Sequence, residues 1–337
     1  MNGHGDFDML EFRNNIPVPK PGPNEVLIKV GAAAVNNTDI NTRKAWYSKG
    51  NGDSDDASWS GNPIKFPRIQ GADVCGRIVA VGKKVSIQWL NERVIIEPSI
   101  RKANGEILKH PWYYGSECDG GFAEYTVVSS IHAYAIKSDL SDVELASFPC
   151  SYSTAENILS RSKVSKGETV LITGASGGVG SATIQLAKAR GAKVIGITSK
   201  KKEEKILKIG ADKVILRDEN IVEKLGKNKI DVIIDLVAGK QWTELINALK
   251  PSGRYAVAGA IGYPHVQLDI RTLYLKDLTF FGCTVLDENV FSNLIVHIEN
   301  KNISPVIAET YPLADIVKAQ QSFLNKKHIG KIVLKID

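Results

Sequence analysis

The run Leu171-Ile172-Thr173-Gly174-Ala175-Ser176-Gly177-Gly178-Val179-Gly180 is the part of this chain best suited to chemistry. An apolar strand-like run precedes it and a helical pattern through Arg190 follows. That context fits a dinucleotide-binding loop, with Ala175 in the first glycine position and Gly177 and Gly180 in the other two. Each position has a physical reason. Gly177 lets the backbone approach a pyrophosphate, and Gly180 lets the helix pack close to the strand. The helix N-terminus, with unpaired N–H groups, then holds the anion. Ala175, Ser176, Gly177, Gly178, Val179 and Gly180 are the expected phosphate contacts.

The residues that choose between two dinucleotides should lie at the end of the next strand, about 20 residues on. An acid there accepts from a ribose 2′-hydroxyl. This chain has Thr198-Ser199-Lys200-Lys201-Lys202, with no acid until Glu203. A 2′-phosphate would meet the Ser199 hydroxyl and a lysine ammonium, first Lys200 and then Lys201. The expected cofactor is therefore NADPH. The competing reading makes these lysines the solvated start of a helix.

Strands and helices alternate around this loop. Thr169 to Thr173, Lys193 to Thr198, Lys213 to Leu216, Ile230 to Leu236, Arg254 to Val257 and Leu278 to Cys283 are continuous apolar runs, four of them joined by helix patterns at 201–209, about 219–225 and 240–249. Buried parallel strands read this way. Six of them make a doubly wound α/β Rossmann sheet, with ligands at the strands' carboxyl ends. That adds Val237, Gly259, Ala260, Ile261, Phe281, Gly282 and Cys283 to the expected cofactor contacts. The first third differs. Val26 to Val30, Val74 to Gly82, Arg93 to Glu97 and Ala123 to Val128 read as short strands between Gly and Pro turns, a β barrel or sandwich. Segments 48–63 and 99–121 read as long loops. The tail ends in a strand, Lys331 to Lys335, and is expected to rejoin the first domain. The expected division is 1–132 with 287–337 for substrate, and 133–286 for the dinucleotide.

Whole-chain properties exclude several classes. The 337 residues are 43% hydrophobic and 24% charged, the mix of a globular protein with two cores. Lys+Arg is 43 against Asp+Glu 37, a mild net charge of +6 with no basic stripe, so no nucleic-acid partner is expected. No apolar run approaches the roughly 20 residues of a membrane span, and no signal peptide opens the chain. Cys75, Cys118, Cys150 and Cys283 form no CxxC pair. A cytoplasmic setting follows as the expectation.

The markers Gly71-Ala72-Asp73-Val74-Cys75-Gly76, Asp119-Gly120-Gly121-Phe122-Ala123-Glu124-Tyr125 and Gly330-Lys331-Ile332-Val333-Leu334, with the glycine loop, resemble the medium-chain dehydrogenase/reductase superfamily, in its zinc-independent quinone oxidoreductase branch. The resemblance covers nearly the whole chain. It implies a mainly β GroES-like barrel for the first domain and a homodimer joined at the last Rossmann strand. The zinc-ligand positions of the zinc enzymes correspond to Asn36, Ala72 and Cys150, only one of which could ligate; three protein ligands are needed. No metal is therefore expected. Without zinc, hydride is more readily given to an electron-poor acceptor than taken from an alcohol. A quinone is the expected acceptor, and an enone or enal the alternative. A non-catalytic NADPH-binding structural or RNA-binding protein is the reading from another class. The resemblance also places Asn36 beside the reacting groups as a donor to a developing oxyanion, with Asp39 and Asn41 completing a polar wall. A plain turn pair at Asn36-Asn37 stays open. Family members often have Tyr at the Asn41 position. Thr154 and Lys331 enter as cofactor contacts by resemblance alone. Trp46, Tyr47 and the cluster Trp112-Tyr113-Tyr114, chiefly Tyr114, are candidates to stack on a flat substrate; loop packing is the equal alternative. His110 and His132 are read as surface or packing residues.

Overall fold

The computed structural model describes residues 1–49 and 57–336. In chain order the elements begin with β1 (Glu25–Val35), α1 (Asn37–Arg43), β2 (Asp73–Val81), β3 (Arg93–Ile96), β4 (Ser99–Ala103), β5 (Glu106–Tyr113), β6 (Tyr125–Ser129), β7 (Ala133–Ala135), α2 (Asp142–Leu145) and α3 (Pro149–Arg161). They continue with β8 (Thr169–Ile172), α4 (Gly178–Ala189), β9 (Lys193–Thr198), α5 (Glu203–Ile209), β10 (Lys213–Leu216), α6 (Ile221–Leu225), β11 (Ile230–Asp235), α7 (Trp242–Ala248), β12 (Leu249–Val257), α8 (Ile270–Leu275) and β13 (Thr279–Gly282). The chain closes with α9 (Val290–Glu299), β14 (Ile307–Pro312), α10 (Ile316–Leu324) and β15 (Lys331–Lys335).

Two compact units result, Met1–Cys150 with Pro305–Asp337, and Ser151–Ser304. Both divides fall later than the expected 132/133 and 286/287. The first falls inside α3, because β7 pairs with β3 and so keeps its following segment in the first unit. The tail returns as expected: β15 pairs antiparallel with β1.

The first unit is a seven-stranded sheet in the order β14-β15-β1-β2-β3-β7, with β6 also on β1. β1 is long enough, at 11 residues, to serve three partners. Its inward Val26, Ile28, Val30, Ala33 and Val35 join Val74, Ile78, Ile332 and Leu334, and Ile316, Ala319 and Phe323 of α10 cover them. Each large aliphatic side chain buried this way contributes about 1.5–3 kcal/mol. The expected loop 99–121 is in part a hairpin. β4 and β5 pair from Ser99↔Tyr113 to Ala103↔Glu106 around Asn104-Gly105, both at positive φ. An Asn-Gly pair supplies the left-handed turn that two-residue hairpins need. Buried His132 fastens this hairpin. Its Nε2 accepts from the N–H groups of Arg101 and Lys102, at 3.0 and 3.1 Å, while Nδ1 faces Glu97 Oε2 at 3.0 Å. The expected loop 48–63 includes residues 50–56, which lie outside the described residues.

The second unit is a six-stranded parallel sheet in the order β10-β9-β8-β11-β12-β13, or 3-2-1-4-5-6 counted from β8. That is the doubly wound order, with the reversal between β8 and β11. Leu171, Ile195, Ile197, Ile215 and Ile233 of the strands form a core with Trp242, Leu245 and Ile246 of α7.

Candidate active site

In the second unit the glycine loop joins β8 to α4. The Ala175 N–H donates to Ile197 O at 3.2 Å, and the Gly177 N–H to Gly174 O at 3.0 Å. A Cβ at Gly180 would lie 2.3 Å from Gly174 O and 2.7 Å from Ala175 Cα, so only glycine lets helix and loop close. A Cβ at Gly177 would meet nothing nearer than 3.5 Å, because that position faces open space. Gly178, Val179 and Gly180 open α4, where N–H groups have no intrahelical partner and the helix dipole is positive. Close by, the buried Thr198 Oγ1 has no hydrogen-bond partner among the described residues. An anionic ligand with hydroxyls suits all three features, so the residues fit a dinucleotide.

The basic run divides differently from the expectation. Lys200 turns away and pairs with Glu203 at 2.6 Å. Lys201 is exposed and Ser199 is half-buried. Lys202 turns inward, its Nζ donating to the Ser176 hydroxyl at 3.4 Å. Burial lowers its pKa, and the Arg217 charge adds to that. Run order says nothing about which lysine of a helical turn points back, so the sequence does not single out Lys202.

After β11 the backbone is held by Asp235. Its Oδ1 accepts from the N–H groups of Val237 and Ala238, each at 2.9 Å, and from Thr173 Oγ1 at 2.6 Å. Val237 thereby stands against Gly174. Gly259 and Ala260 are half-buried and Ile261 exposed, all following β12. Phe281 is half-buried and Gly282 exposed on β13, with Cys283 buried behind them. Thr154 is half-buried on α3.

In the first unit a polar cluster forms where β1 runs into α1. Asn36 is buried, and its neighbours leave its amide one orientation. Lys331 Nζ, which can only donate, reaches Asn36 Oδ1 at 2.5 Å. Asn36 Nδ2 donates to Ala34 O at 3.1 Å and to Asp73 Oδ2 at 2.8 Å. Both amide protons are committed, so the expected oxyanion donor has none to give. Lys331, expected as a cofactor contact, likewise turns its ammonium into this cluster. Its ammonium donates to Val35 O, Asn36 Oδ1 and Asp73 Oδ2, which uses all three protons. Asp73 Oδ1 accepts from the Cys150 N–H at 2.6 Å. Asp39 is buried here too, its Oδ2 accepting from the Asn36 N–H at 2.8 Å. Burial raises the Asp39 pKa to about 7, and Asp73 pushes the same way.

The aromatic candidates also separate. Tyr114 is core, not substrate wall: its hydroxyl bonds Thr126 Oγ1 and Val127 O, and its ring joins the β1 core. Tyr47 stays with the cluster, its hydroxyl donating to Thr38 Oγ1 at 3.3 Å, and Asn41 also bonds it. Trp46 is 43% exposed and packs edge-on against Tyr47. The residue next to Tyr114 faces Cys150 instead. Tyr113 OH is 3.0 Å from Cys150 Sγ, and its ring packs against Trp59 at 5.2 Å.

Comparison with known proteins agrees with this architecture. Residues 22–138 match the alcohol dehydrogenase GroES-like domain and residues 178–300 the zinc-binding dehydrogenase domain. An acryloyl-coenzyme A reductase of Metallosphaera sedula is 30% identical, over 94% of this chain and 93% of that one. The chain belongs to the medium-chain dehydrogenase/reductase superfamily. The human quinone oxidoreductase is 29% identical, over 98% of this chain and 94% of its own. A solved Sinorhizobium meliloti protein, provisionally described as an alcohol dehydrogenase, superposes with a TM-score of 0.90 at 41% identity, over 100% and 95% of the two chains. The chain is an oxidoreductase of this superfamily, with a GroES-like domain and an NAD(P)-binding Rossmann fold. Its residues do not fit a catalytic zinc. Asn36 is fully bonded, Ala72 offers a methyl group, and Cys150 is a single thiol whose pKa burial raises to about 12. Among the described residues no group of three His, Cys, Asp or Glu side chains could hold a metal, and no helix is long and apolar enough to cross a membrane.

Proposed function

We propose that this protein reduces quinone-like acceptors with NADPH and without zinc. The observation that carries the cofactor choice is Lys202, an ammonium turned onto the glycine loop, with Arg217 beside it and no carboxylate at the end of β9. A 2′-phosphate would be held by these cations and the Ser176 and Ser199 hydroxyls, with Lys202 in place of Lys200 as the principal contact. The pyrophosphate belongs on Gly177 and the first turn of α4. NADPH supplies a hydride when bound. The chain's task is then to orient the acceptor and stabilise the charge that reaches its oxygen. The single thiol and filled Asn36–Asp73–Lys331 network support a reaction that needs no metal. Reduction of an activated C=C bond uses the same parts. The similarity to acryloyl-coenzyme A reductases favours keeping that reading second. A purely structural NADPH-binding role is the remaining class. Four cysteines, none of them in a disulfide, fit a cytosolic setting, and the apolar edge strand β13 supports a homodimer.

The test is turnover of 9,10-phenanthrenequinone, followed by loss of NADPH absorbance, with NADH in parallel and a chelator added. We expect NADPH to be preferred and chelator to have no effect. Lys202→Ala should raise the KM for NADPH about tenfold, a loss near 1.4 kcal/mol, and leave NADH unchanged. Lys200→Ala should do neither. Equal use of both cofactors by the parent enzyme would overturn the NADPH assignment, and loss of activity to chelator the zinc-free one.

A further inference from the structure

Two neighbouring tyrosines sit at the end of the β4–β5 hairpin, and their hydroxyls are treated differently. Tyr114 OH has two oxygen partners, Thr126 Oγ1 and Val127 O, which is how a buried phenol is satisfied. Among the described residues Tyr113 OH has one partner, the sulfur of Cys150 at 3.0 Å. A thiol is a weak acceptor and a weak donor. The Tyr113 proton is therefore held loosely, and an oxygen placed beside it would bind it better. The pair lies in a small buried cluster with Ala72, against which the partly buried Trp59 packs. Tyr113 and Cys150 each keep 8% exposure, against 2% for Tyr114.

The surroundings fix this phenol in place. Glu117 joins the two strands of chain that carry the ring pair: Oε2 accepts from the Tyr113 N–H at 2.8 Å and Oε1 from the Ser60 N–H at 2.7 Å. Trp59, half-buried, lies tilted across the Tyr113 ring. On the other side, Cys150 is anchored through its N–H to Asp73, the same carboxylate that takes Asn36 and Lys331. The polar network and the phenol–thiol pair are thus one assembly, built from β1, β2, β5, the start of α3 and β15.

We propose that Tyr113 is the catalytic hydrogen-bond donor to the acceptor's carbonyl oxygen, the role that Asn36 cannot fill, and that Trp59 is the flat wall against which the acceptor's conjugated system lies. This inference rests on the reductase reading. Hydride from NADPH forms a C–H bond at the acceptor's electrophilic carbon. The displaced π pair moves to the carbonyl oxygen, which accepts the Tyr113 O–H in place of sulfur. Water then protonates the resulting enolate or hydroquinone anion. The acceptor gains two electrons and two protons in net terms, and NADPH becomes NADP⁺. Burial and the nearby thiol and carboxylate keep the phenol's pKa well above its ordinary value. It remains a donor through neutral pH and does not itself surrender the proton.

The test combines turnover with binding of 4-nitrophenol, whose anion imitates the charged oxygen and whose colour reports its ionisation. Tyr113→Phe should lower kcat with quinone or enone about 100-fold, the effect of removing one preorganised donor, and leave NADPH affinity unchanged. Nitrophenol should bind the parent enzyme as its yellow anion with a lowered pKa, and this shift should vanish in Tyr113→Phe. Cys150 gives a second readout. Cys150→Ser offers the phenol an oxygen partner that competes with the acceptor, so it should slow turnover more than Cys150→Ala. Turnover that survives Tyr113→Phe overturns the role of Tyr113 while the reductase reading stands. A Tyr113-dependent nitrophenol shift without turnover of any acceptor overturns the reductase reading and keeps the oxyanion site. An unshifted nitrophenol in a parent enzyme that turns over overturns the site.

Discussion

An amide with both protons bonded to a carbonyl and a carboxylate is a structural node, whatever its position near a reaction would suggest. Asn36 is such a node, and Lys331 and Asp73 are its partners. The sequence shows Asn36 and Asp39 close together on the chain. It does not show that Lys331, almost 300 residues away, closes the group, because that contact exists only when β15 lies on β1. Asp39 gives the cluster a pH signature. Its carboxyl is raised from 3.8 to about 7, chiefly by burial. Between those values the folded chain retains a proton that the unfolded chain has released. Stability therefore falls as pH rises through this window, since the unfolded state binds fewer protons. Asp39→Asn keeps an oxygen for the Asn36 N–H and does not titrate. We expect wild type to lose stability relative to this variant between about pH 4 and about pH 7, measured by urea unfolding. Two curves that keep a constant separation would rule out Asp39 as the source.

At the scale of elements, the strand–loop–helix unit of β8 and α4 shows what short-range pattern can carry. Spacing nominates both glycines alike, whereas packing gives them different surroundings. Gly180 is a contact glycine, with no room for a methyl group beside Gly174 O. Gly177 is an approach glycine at φ −75°, an ordinary value for any residue, with free space around it. The two alanine variants should therefore fail differently. Gly180→Ala should destabilise the protein by about 1–3 kcal/mol through overpacking. Gly177→Ala should unfold like wild type yet lose NADPH affinity by at least about tenfold, since its methyl group occupies the pyrophosphate's side of the loop. Calorimetry and cofactor titration separate the outcomes; equal melting losses in both would show that Gly177 also packs. The β4–β5 hairpin was expected as a loop, although Asn104-Gly105 carries its turn signal. The aromatic Trp112-Tyr113-Tyr114 run drew the reading toward a substrate loop, and consecutive strand residues point to opposite faces. That alternation separates Tyr113 from Tyr114.

For the whole molecule, the order of β and βα patterns sufficed for both fold classes, because continuous apolar strands and glycine turns are local features. The place where one unit ends was less legible: β7 and α2 look like connectors until β7 is seen paired to β3. The proposed homodimer rests on the sheet's last strand. Among the described residues β13 pairs with β12 alone, and its Phe280 and Phe281 are half-buried. Ahead of it, Ile261, Tyr263, Ile270, Tyr274 and Leu275 are each at least 50% exposed, more large apolar surface than scattered single residues would leave. An unprotected apolar edge is a template for a second strand, and a lysine on it is how monomers prevent that pairing. Light scattering at micromolar concentration should therefore give twice the 36.7 kDa chain mass for wild type. Thr279 is exposed on the same strand, far from the carboxyl ends where cofactor is expected, so Thr279→Lys should fold normally and weigh as one chain. Its NADPH affinity should match wild type, because each glycine loop and its cations come from a single chain. A wild-type monomer would remove the edge-strand dimer, and a dimer that persists in Thr279→Lys would move the interface to another face.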